Sequence, residues 1–320
     1  MTRYCLLVFL LSLPLAAQVE IKQASDRIMV NIDGKPFTAL FVTAEVNKPY
    51  LHPLRSASGR VVTRYFPMDL VEGERRDHPH HRGLWFSHGL VNGYDLWANE
   101  RNEKGPKKGR IVLRKIFDLQ SGKKSGVIAA FFEWRDTEGR VLLTELKRLT
   151  FYAEPNQRVI DSDSMLGAAE KVKFGDTKEG MFAIRVAPWL EEEANGAPAT
   201  PKRTGHMVNA EGAQGEQGVW GRRSPWVDYS GEVDGEKLGI AILDHPENPH
   251  FPTYWQCRGY GLCAANPFGA SEFEHDPTKD GSLTLDSSQN VRFRYRVIIH
   301  SGDARSAGIA AQWMEFSRTK

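Results

Sequence analysis

The sequence predicts an all-β protein, an antiparallel two-sheet β-sandwich closed by a short C-terminal helix. Three observations carry this. Between residues 110 and 164, four strand-patterned runs follow one another, each bounded by turn residues. Glycine and proline number 29 and 17, which favours many turns over long helices. No βαβ alternation, short-period repeat or obvious linker interrupts the pattern.

Residues 1–17 read as a secretory signal peptide. Arg3 supplies a positive n-region, Tyr4 to Leu15 an apolar run, and Leu15-Ala16-Ala17 a small-residue cleavage site. Cleavage there leaves Gln18 at the N-terminus of an exported protein, periplasmic or extracellular, with residues 18–320 as one domain. No later segment holds the ~18 apolar residues needed to span a bilayer. The chain has 42 basic and 40 acidic residues, a net charge of +2, and so no nucleic-acid footprint.

Arg27 to Ile32, Asp33-Gly34 and Phe37 to Val42 read as a β-hairpin with an Asp-Gly turn. Lys48 to Leu54 is a proline-pinned extended segment, and Val61 to Tyr65 a short strand. Asn92-Gly93 turns the chain into Tyr94-Asp95-Leu96-Trp97, and Lys104 to Gly109 is a surface loop. Ile111 to Leu119, Val127 to Trp134, Val141 to Tyr152 and Arg158 to Ser164 form a meander. Glu191 to Gln217 reads as a long surface loop. Trp226 to Ser230 and Lys237 to Leu243 make a further hairpin, and Ser282 to Leu285 and Val291 to His300 are strands. Ala304 to Phe316 has the one convincing helical period, with Ile309, Trp313 and Phe316 on one side. Cys257 and Cys263 either pair in an oxidising compartment or stay as two buried thiols.

The chemistry concentrates in three loops. Arg75-Arg76-Asp77-His78-Pro79-His80-His81-Arg82-Gly83 leads into Leu84-Trp85-Phe86-Ser87-His88 and holds four of the ten histidines. Histidine titrates near neutral pH and is the commonest metal ligand. Pro79 pushes His78 toward an extended conformation. On an extended chain His78 and His80 share one face and His81 points the other way. Gly175-Asp176-Thr177-Lys178-Glu179-Gly180 sets a charged tetrapeptide between apolar runs, either as a solvated turn or as a loop presenting Lys178 and Glu179 to a cleft. Asp244-His245-Pro246 opens a rigid loop that ends in Tyr254-Trp255, with Asp244 and His245 a candidate carboxylate–imidazole pair. The aromatic faces of Tyr254 and Trp255 suit sugar rings or the core equally. There is no Gly-rich phosphate loop, no Gly-x-Ser-x-Gly elbow and no His-Glu-x-x-His. The histidine spacing matches no familiar zinc template.

Arg64-Tyr65-x-Pro67-Met68, the run Arg76 to Gly89, the run Gly175 to Gly180, and Asp244-His245-Pro246 through Ala264-Ala265-Asn266-Pro267-Phe268-Gly269 resemble the PmoA-like family of exported bacterial proteins. The resemblance spans nearly the whole chain after residue 17. It departs at Gln256, where a histidine is expected, so no catalytic or metal role is assigned there. The "methane oxygenase" label of that family implies spanning helices that residues 18–320 lack, and methane oxidation is rejected. More distantly, Pro49 to Leu54 and Val291 to His300 resemble the opening and closing strands of the galactose-mutarotase-like β-supersandwich.

Together these imply a carbohydrate-active protein whose partner is a sugar or sugar-derived small molecule. The candidate catalytic residues are His80, His81, Glu179, Asp244 and His245, working as acid–base pairs on an epimerase, lyase or hydrolase reaction. The candidate substrate-binding residues are Arg76, Arg82, His78, His88, Trp85, Lys178, Tyr254, Trp255 and Asn266. No cofactor is expected. One alternative is a divalent-metal enzyme with His78, His80 and Glu179 as ligands. The other is a non-catalytic glycan-binding module with Trp85, Trp97, Tyr254 and Trp255 as platforms.

Overall fold

The structure, a computed structural model, describes residues 18–43, 45–98, 100, 107–192 and 201–320. The leader at 1–17 and the start of the 104–109 loop lie outside the described residues. In chain order the first strands are β1 (Val19–Gln23), β2 (Arg27–Ile32), β3 (Lys35–Phe41), β4 (Tyr50–Leu51) and β5 (Leu84–His88). The meander follows as β6 (Arg110–Gln120), β7 (Ser125–Arg135), β8 (Val141–Ala153) and β9 (Gln157–Ala168). After it come β10 (Val172–Phe174), β11 (Gly180–Arg185), β12 (His206–Asn209), α1 (Gly215–Val219), β13 (Trp226–Val233) and β14 (Glu236–Asp244). The chain closes with β15 (Tyr254–Cys257), β16 (Leu262–Asn266), α2 (Ala270–Phe273), β17 (Leu283–Leu285), β18 (Asn290–Ser301) and α3 (Ile309–Phe316).

These make the expected two-sheet antiparallel sandwich. One eight-stranded sheet runs β1-β2-β3-β4-β5-β11-β16-β15, and the other β12-β13-β14-β18-β9-β8-β7-β6. The core lies between them. Phe182 of β11 stacks on Tyr295 of β18 with centroids 4.6 Å apart, and Phe86 meets Trp134 and Phe293. Alternation along each strand then sends the intervening residues to the outer faces. The outer face of the second sheet is covered by α3, whose Ile309 and Phe316 bury against Trp226, Leu243 and Ile298. The outer face of the first sheet carries the histidine loop.

Two expectations fail locally, and one strand is unanticipated. Val61 to Tyr65 forms only isolated bridges, Arg55 to Val61 and Thr63 to Val186. The Glu191–Gln217 stretch holds β12 and α1, because β12 borrows its ladder from β13 rather than from its own sequence neighbours. β1 pairs with β2 at the edge of the first sheet and has no counterpart in the strand reading.

Cys257 and Cys263 face one another across the β15–β16 hairpin and form a disulfide. A crosslink closing so short a loop restricts the unfolded chain by about 2 kcal/mol. A Cys257→Ser/Cys263→Ser variant should lose about that much in a urea titration, and Cys257 and Cys263 of the native protein should be unreactive toward thiol reagents in denaturant without reductant.

Candidate functional site

Two buried guanidinium groups build the histidine loop from within. The Arg64 side chain has no exposed surface. It donates to the carbonyls of Phe66 (3.1 Å), Arg75 (3.2 Å), His78 (3.0 Å) and His81 (3.4 Å), and to the Asp77 carboxylate at 2.6 Å. Arg185, the last residue of β11, is equally buried and reaches the same Asp77 oxygen at 3.0 Å. Only a planar fork of five donors can serve so many acceptors at once. Burial lowers the Arg64 guanidinium to about 10, still protonated at neutral pH. Burial also works to raise the Asp77 carboxyl. The His78 hydrogen bond and the Arg185 and Arg64 charges outweigh it and hold that carboxyl well below the ordinary range.

This template overturns the extended reading of the loop. His78 sits in the left-handed region at φ 46°, and the His81 N–H closes a turn onto the His78 carbonyl at 3.0 Å. A non-glycine residue takes that conformation only when its surroundings impose it. Here Arg64 holds the carbonyls on both sides of the turn. The rings therefore gather instead of alternating. His78 stacks on His81 at 4.7 Å, and His80 meets His81 edge-on at 4.4 Å. Tyr260, from the β15–β16 turn, stacks on His78 at 5.4 Å, and Trp85 of β5 stacks on His81 at 5.4 Å. Gly83 ends the loop with φ +52°, where a Cβ would lie 2.1 Å from the Leu51 carbonyl oxygen.

Electrostatics then separates the histidines. Burial, aided by the neighbouring His80, Arg185 and His78 charges, pushes His81 well below its ordinary range, so it is neutral. Arg185 Nη1 lies 3.2 Å from His81 Nδ1. A guanidinium only donates, so Nδ1 accepts and the His81 proton sits on Nε2. The His78 side chain is 42 % exposed, and its Nδ1 lies 3.4 Å from Asp77 Oδ1. In the neutral ring, Nδ1–H directed to the carboxylate places the lone pair on Nε2.

The sheet supplies the floor. Residues directly opposite on neighbouring strands share a face, and one row runs Tyr50, Trp85, Ala183, Ala264, Gln256 across β4, β5, β11, β16 and β15. Ala183 and Ala264 stand between Trp85 and Gln256 and are fully buried beneath a covering layer that includes Met68 and Tyr260. Glu179 comes onto this face just before β11. Burial raises its carboxyl, Glu272 and Asp95 add to the rise, and Lys178 and a hydrogen bond with Gln256 oppose it. The Tyr260 phenol is pushed up to about 12, first by burial and in part by Glu179. Glu179 is thus within electrostatic reach of Tyr260, which stacks on His78. Four buried polar atoms here have no partner: the indole N–H groups of Trp85 and Trp97, Ser87 Oγ and Gln256 Oε1. Trp97 packs on Trp85 at 5.0 Å. Each such group costs about 1–3 kcal/mol when left unmet.

Several residues expected at the site lie elsewhere or are already engaged. His88 faces the core, donates from Nε2 to the Gly175 carbonyl at 2.8 Å, and burial pushes it down to about 4. A Cβ at Gly180 would sit 2.5 Å from its Nδ1, so the glycine makes room for the ring. Trp255 is fully buried and donates to the Ser224 carbonyl at 2.8 Å, a core residue and not a platform. Tyr254 bonds Glu274 and stacks on Phe273 at the sheet edge. Asn266 ties β16 to Thr177 and Phe268, and Lys178 is ion-paired to Glu272 at 2.7 Å. Arg82 is held by Glu100 at 2.8 and 3.1 Å. Arg76 is exposed, with no ion pair among the described residues.

Asp244 and His245 do not pair. Asp244, fully buried and raised by burial to about 7, accepts from Asn248 (2.7 Å) and the Thr253 N–H (2.9 Å) and so pins its own loop. His245 bonds Arg294 and packs on Phe316 of α3. Consecutive residues leaving a strand diverge, which separates them. The set His78, His80 and Glu179 does not assemble either. No group of three His, Cys, Asp or Glu side chains among the described residues is placed to hold a metal ion. Sequence reasoning passed over Arg185 and Tyr260. A lone arginine within the apolar run from Met181 to Leu190 was the available signal for the first.

The fold and this face define a two-sheet β-sandwich with a histidine–carboxylate cluster on one outer surface. The chain belongs to a family of unknown function, DUF6807, whose model matches residues 27–314. That description carries no activity, and the PmoA-like name stays a resemblance of motifs. No curated protein matches the chain. Among solved structures it is similar to an α-galactosidase from Lactobacillus brevis, with 8 % identity, a TM-score of 0.40, and coverage of 89 % of this chain and 39 % of that one. It is also similar to the α-galactosidase AgaB from Geobacillus stearothermophilus, with 9 % identity, a TM-score of 0.41, and coverage of 90 % and 42 %. A third is a galactose mutarotase-like protein from Clostridium acetobutylicum, with 9 % identity, a TM-score of 0.40, and coverage of 89 % and 98 %. The chain spans about two fifths of the length of the α-galactosidases. These likenesses concern the fold and not the chemistry.

Replacing Arg64 with Met leaves Asp77 and four carbonyls short of a buried donor, and should cost about 3–5 kcal/mol in chemical denaturation. Arg64→Lys should recover less than half of that, since an ammonium cannot reproduce the fork. His88 gives a pH signature. Its folded value, about 4, lies below the ordinary 6.5, so between the two only the unfolded chain takes the proton. Its contribution is complete above about pH 6.5 and is lost as pH falls toward 4. A His88→Gln variant should lose less stability than the native protein between those pH values, by about 3 kcal/mol.

Proposed function

We propose that the protein is an exported carbohydrate-active enzyme that moves protons with Glu179 and His78. One observation carries this reading. A carboxyl raised above its ordinary range by burial and a carboxylate-oriented imidazole lie toward the same sheet face, which carries unpartnered donors and acceptors. Hydroxyl groups both donate and accept, so a polyol satisfies this mixed set where a purely apolar ligand does not.

In this reading His78 Nε2 takes a proton from a substrate hydroxyl or an acidic C–H. The imidazolium that forms is stabilised by Asp77, which stays ionised. Glu179, whose carboxyl burial raises above its ordinary range, gives a proton to the departing or ring oxygen. His81 remains neutral and offers Nε2–H as a fixed donor. Ring opening, epimerisation and elimination share this two-proton requirement. His78 therefore takes the role first assigned to His80 and His81, whose rings are buried against it. The signal-like residues 1–17 and the Cys257–Cys263 disulfide support export, because disulfides persist in oxidising compartments. The same unpartnered atoms favour a second reading, a non-catalytic glycan-binding module.

The test is a turnover screen on free sugars, uronates, keto-sugars and oligosaccharides. His78→Asn and Glu179→Gln should each lower kcat by about 10²-fold or more with unchanged circular dichroism. Activity should fall as pH rises through the raised Glu179 value, and Glu179→Gln should lack that limb. Full activity in either variant overturns the roles assigned here. Saturable glycan binding without product in the native protein moves the reading to the binding module.

A further inference from the structure

A cleft of about 890 Å³ adjoins the proposed site, and none of its chemistry is used by the acid–base pair. Tyr50 and Arg82 line it, and both border the site. Tyr50 is the cross-strand neighbour of Trp85, and Arg82 lies between the histidine turn and β5. Cleft and site are therefore successive stretches of one sheet face, with Phe41 extending the row beyond Tyr50 on β3.

The cleft wall is a ladder of four planar groups. Phe41 and Tyr50 stack at 4.9 Å with planes 10° apart. The Arg27 guanidinium lies over Phe41 at 5.0 Å, and that of Arg82 over Tyr50 at 5.7 Å. Both guanidiniums are fixed by carboxylates, Arg27 by Asp26 at 2.7 and 2.9 Å and Arg82 by Glu100 at 2.8 and 3.1 Å. Each arginine is thereby pre-oriented, with N–H groups beyond those its carboxylate takes. Tyr65 and Met68, both half-buried, supply apolar surface on the opposite side, with Tyr65 edge-on to His52 at 5.8 Å. Arg55 is half-buried in the lining and makes no ion pair among the described residues.

Charge decides the class of ligand. Arg27, Arg55 and Arg82 are balanced by Asp26, Glu45 and Asp69, and His52 is neutral, pushed by burial to about 4. A lining without net charge neither attracts nor repels a polyanion strongly. Fixed charged groups set against aromatic and thioether surface suit the alternating hydroxyl and C–H faces of an uncharged sugar. The volume exceeds the need of a single ring that is already bound at the acid–base pair.

We propose that the substrate is a neutral oligosaccharide, with the reacting unit beside the exposed His78 and further units in the Arg55 cleft. This rests on the carbohydrate reading of the site, but not on its being catalytic. The test is calorimetric binding of neutral gluco- and galacto-oligosaccharides of one to six units to the Glu179→Gln protein, with uronic-acid oligomers of the same lengths in parallel. Affinity should rise at least about tenfold between one unit and four. Arg55→Gln and, independently, Met68→Ala should abolish that gain while leaving the affinity for one unit unchanged. In the native protein these variants should raise KM for long substrates and spare turnover of short ones. No gain with length, preference for the acidic series, or a gain that survives both substitutions would each overturn the proposal. Length-dependent binding without turnover would leave it standing and remove only the catalytic reading.

Discussion

The Asp77 carboxylate between Arg64 and Arg185 is the constraint from which the site follows. Two buried guanidinium groups cannot lie side by side without an anion, and Asp77 supplies it at 2.6 and 3.0 Å. With that charge met, Arg64 spends its remaining donors on backbone carbonyls and Arg185 spends one on His81. The left-handed turn at His78, the ring stack and the tautomer of His81 are consequences. A bidentate carboxylate clamp elsewhere would fix a side chain. This one fixes a loop, because its acceptors are mostly main-chain oxygens.

The sheet contributes by what it omits. Ala183 and Ala264 stand in a row between Trp85 and Gln256, so the covering residues, Tyr260 and Met68 among them, pack close against the sheet where the loops converge. Glu179 enters from the β10–β11 connection and Tyr260 from the β15–β16 turn. Neither is near the histidines in sequence; Tyr260 stacks on His78 and Glu179 acts on Tyr260, because β5, β11 and β16 are successive strands. Burial then does opposite things to the two partners in a useful way. It raises the Glu179 carboxyl and lowers the His81 imidazole, so each is shifted toward its uncharged form.

The sequence reveals the strands better than the site, for a physical reason. The four meander strands are legible because hairpin pairing is local and the alternation repeats within each run. β12 is not, since its ladder comes from β13 and its own residues carry no alternation. The histidine loop and Glu179 are legible as clusters of titratable groups. Their geometry is not, because Pro79 argues for an extended His78 and only the distant Arg64 overrides it. Asp244-His245 and Tyr254-Trp255 mislead in the same manner. Adjacent residues on an extended chain point apart, so a pair that looks like a dyad or a double platform is divided between different environments.

A pH titration of the protein labelled with ¹⁵N in its histidine rings reads this arrangement most directly. His81 should remain neutral, with its proton on Nε2, well below the ordinary value of 6.5, and the neutral form of His78 should carry its proton on Nδ1. An Asp77→Asn substitution should disturb both rings together. A His81 that titrates near its ordinary value, or a His78 indifferent to Asp77, would contradict the clamp as the origin of the site.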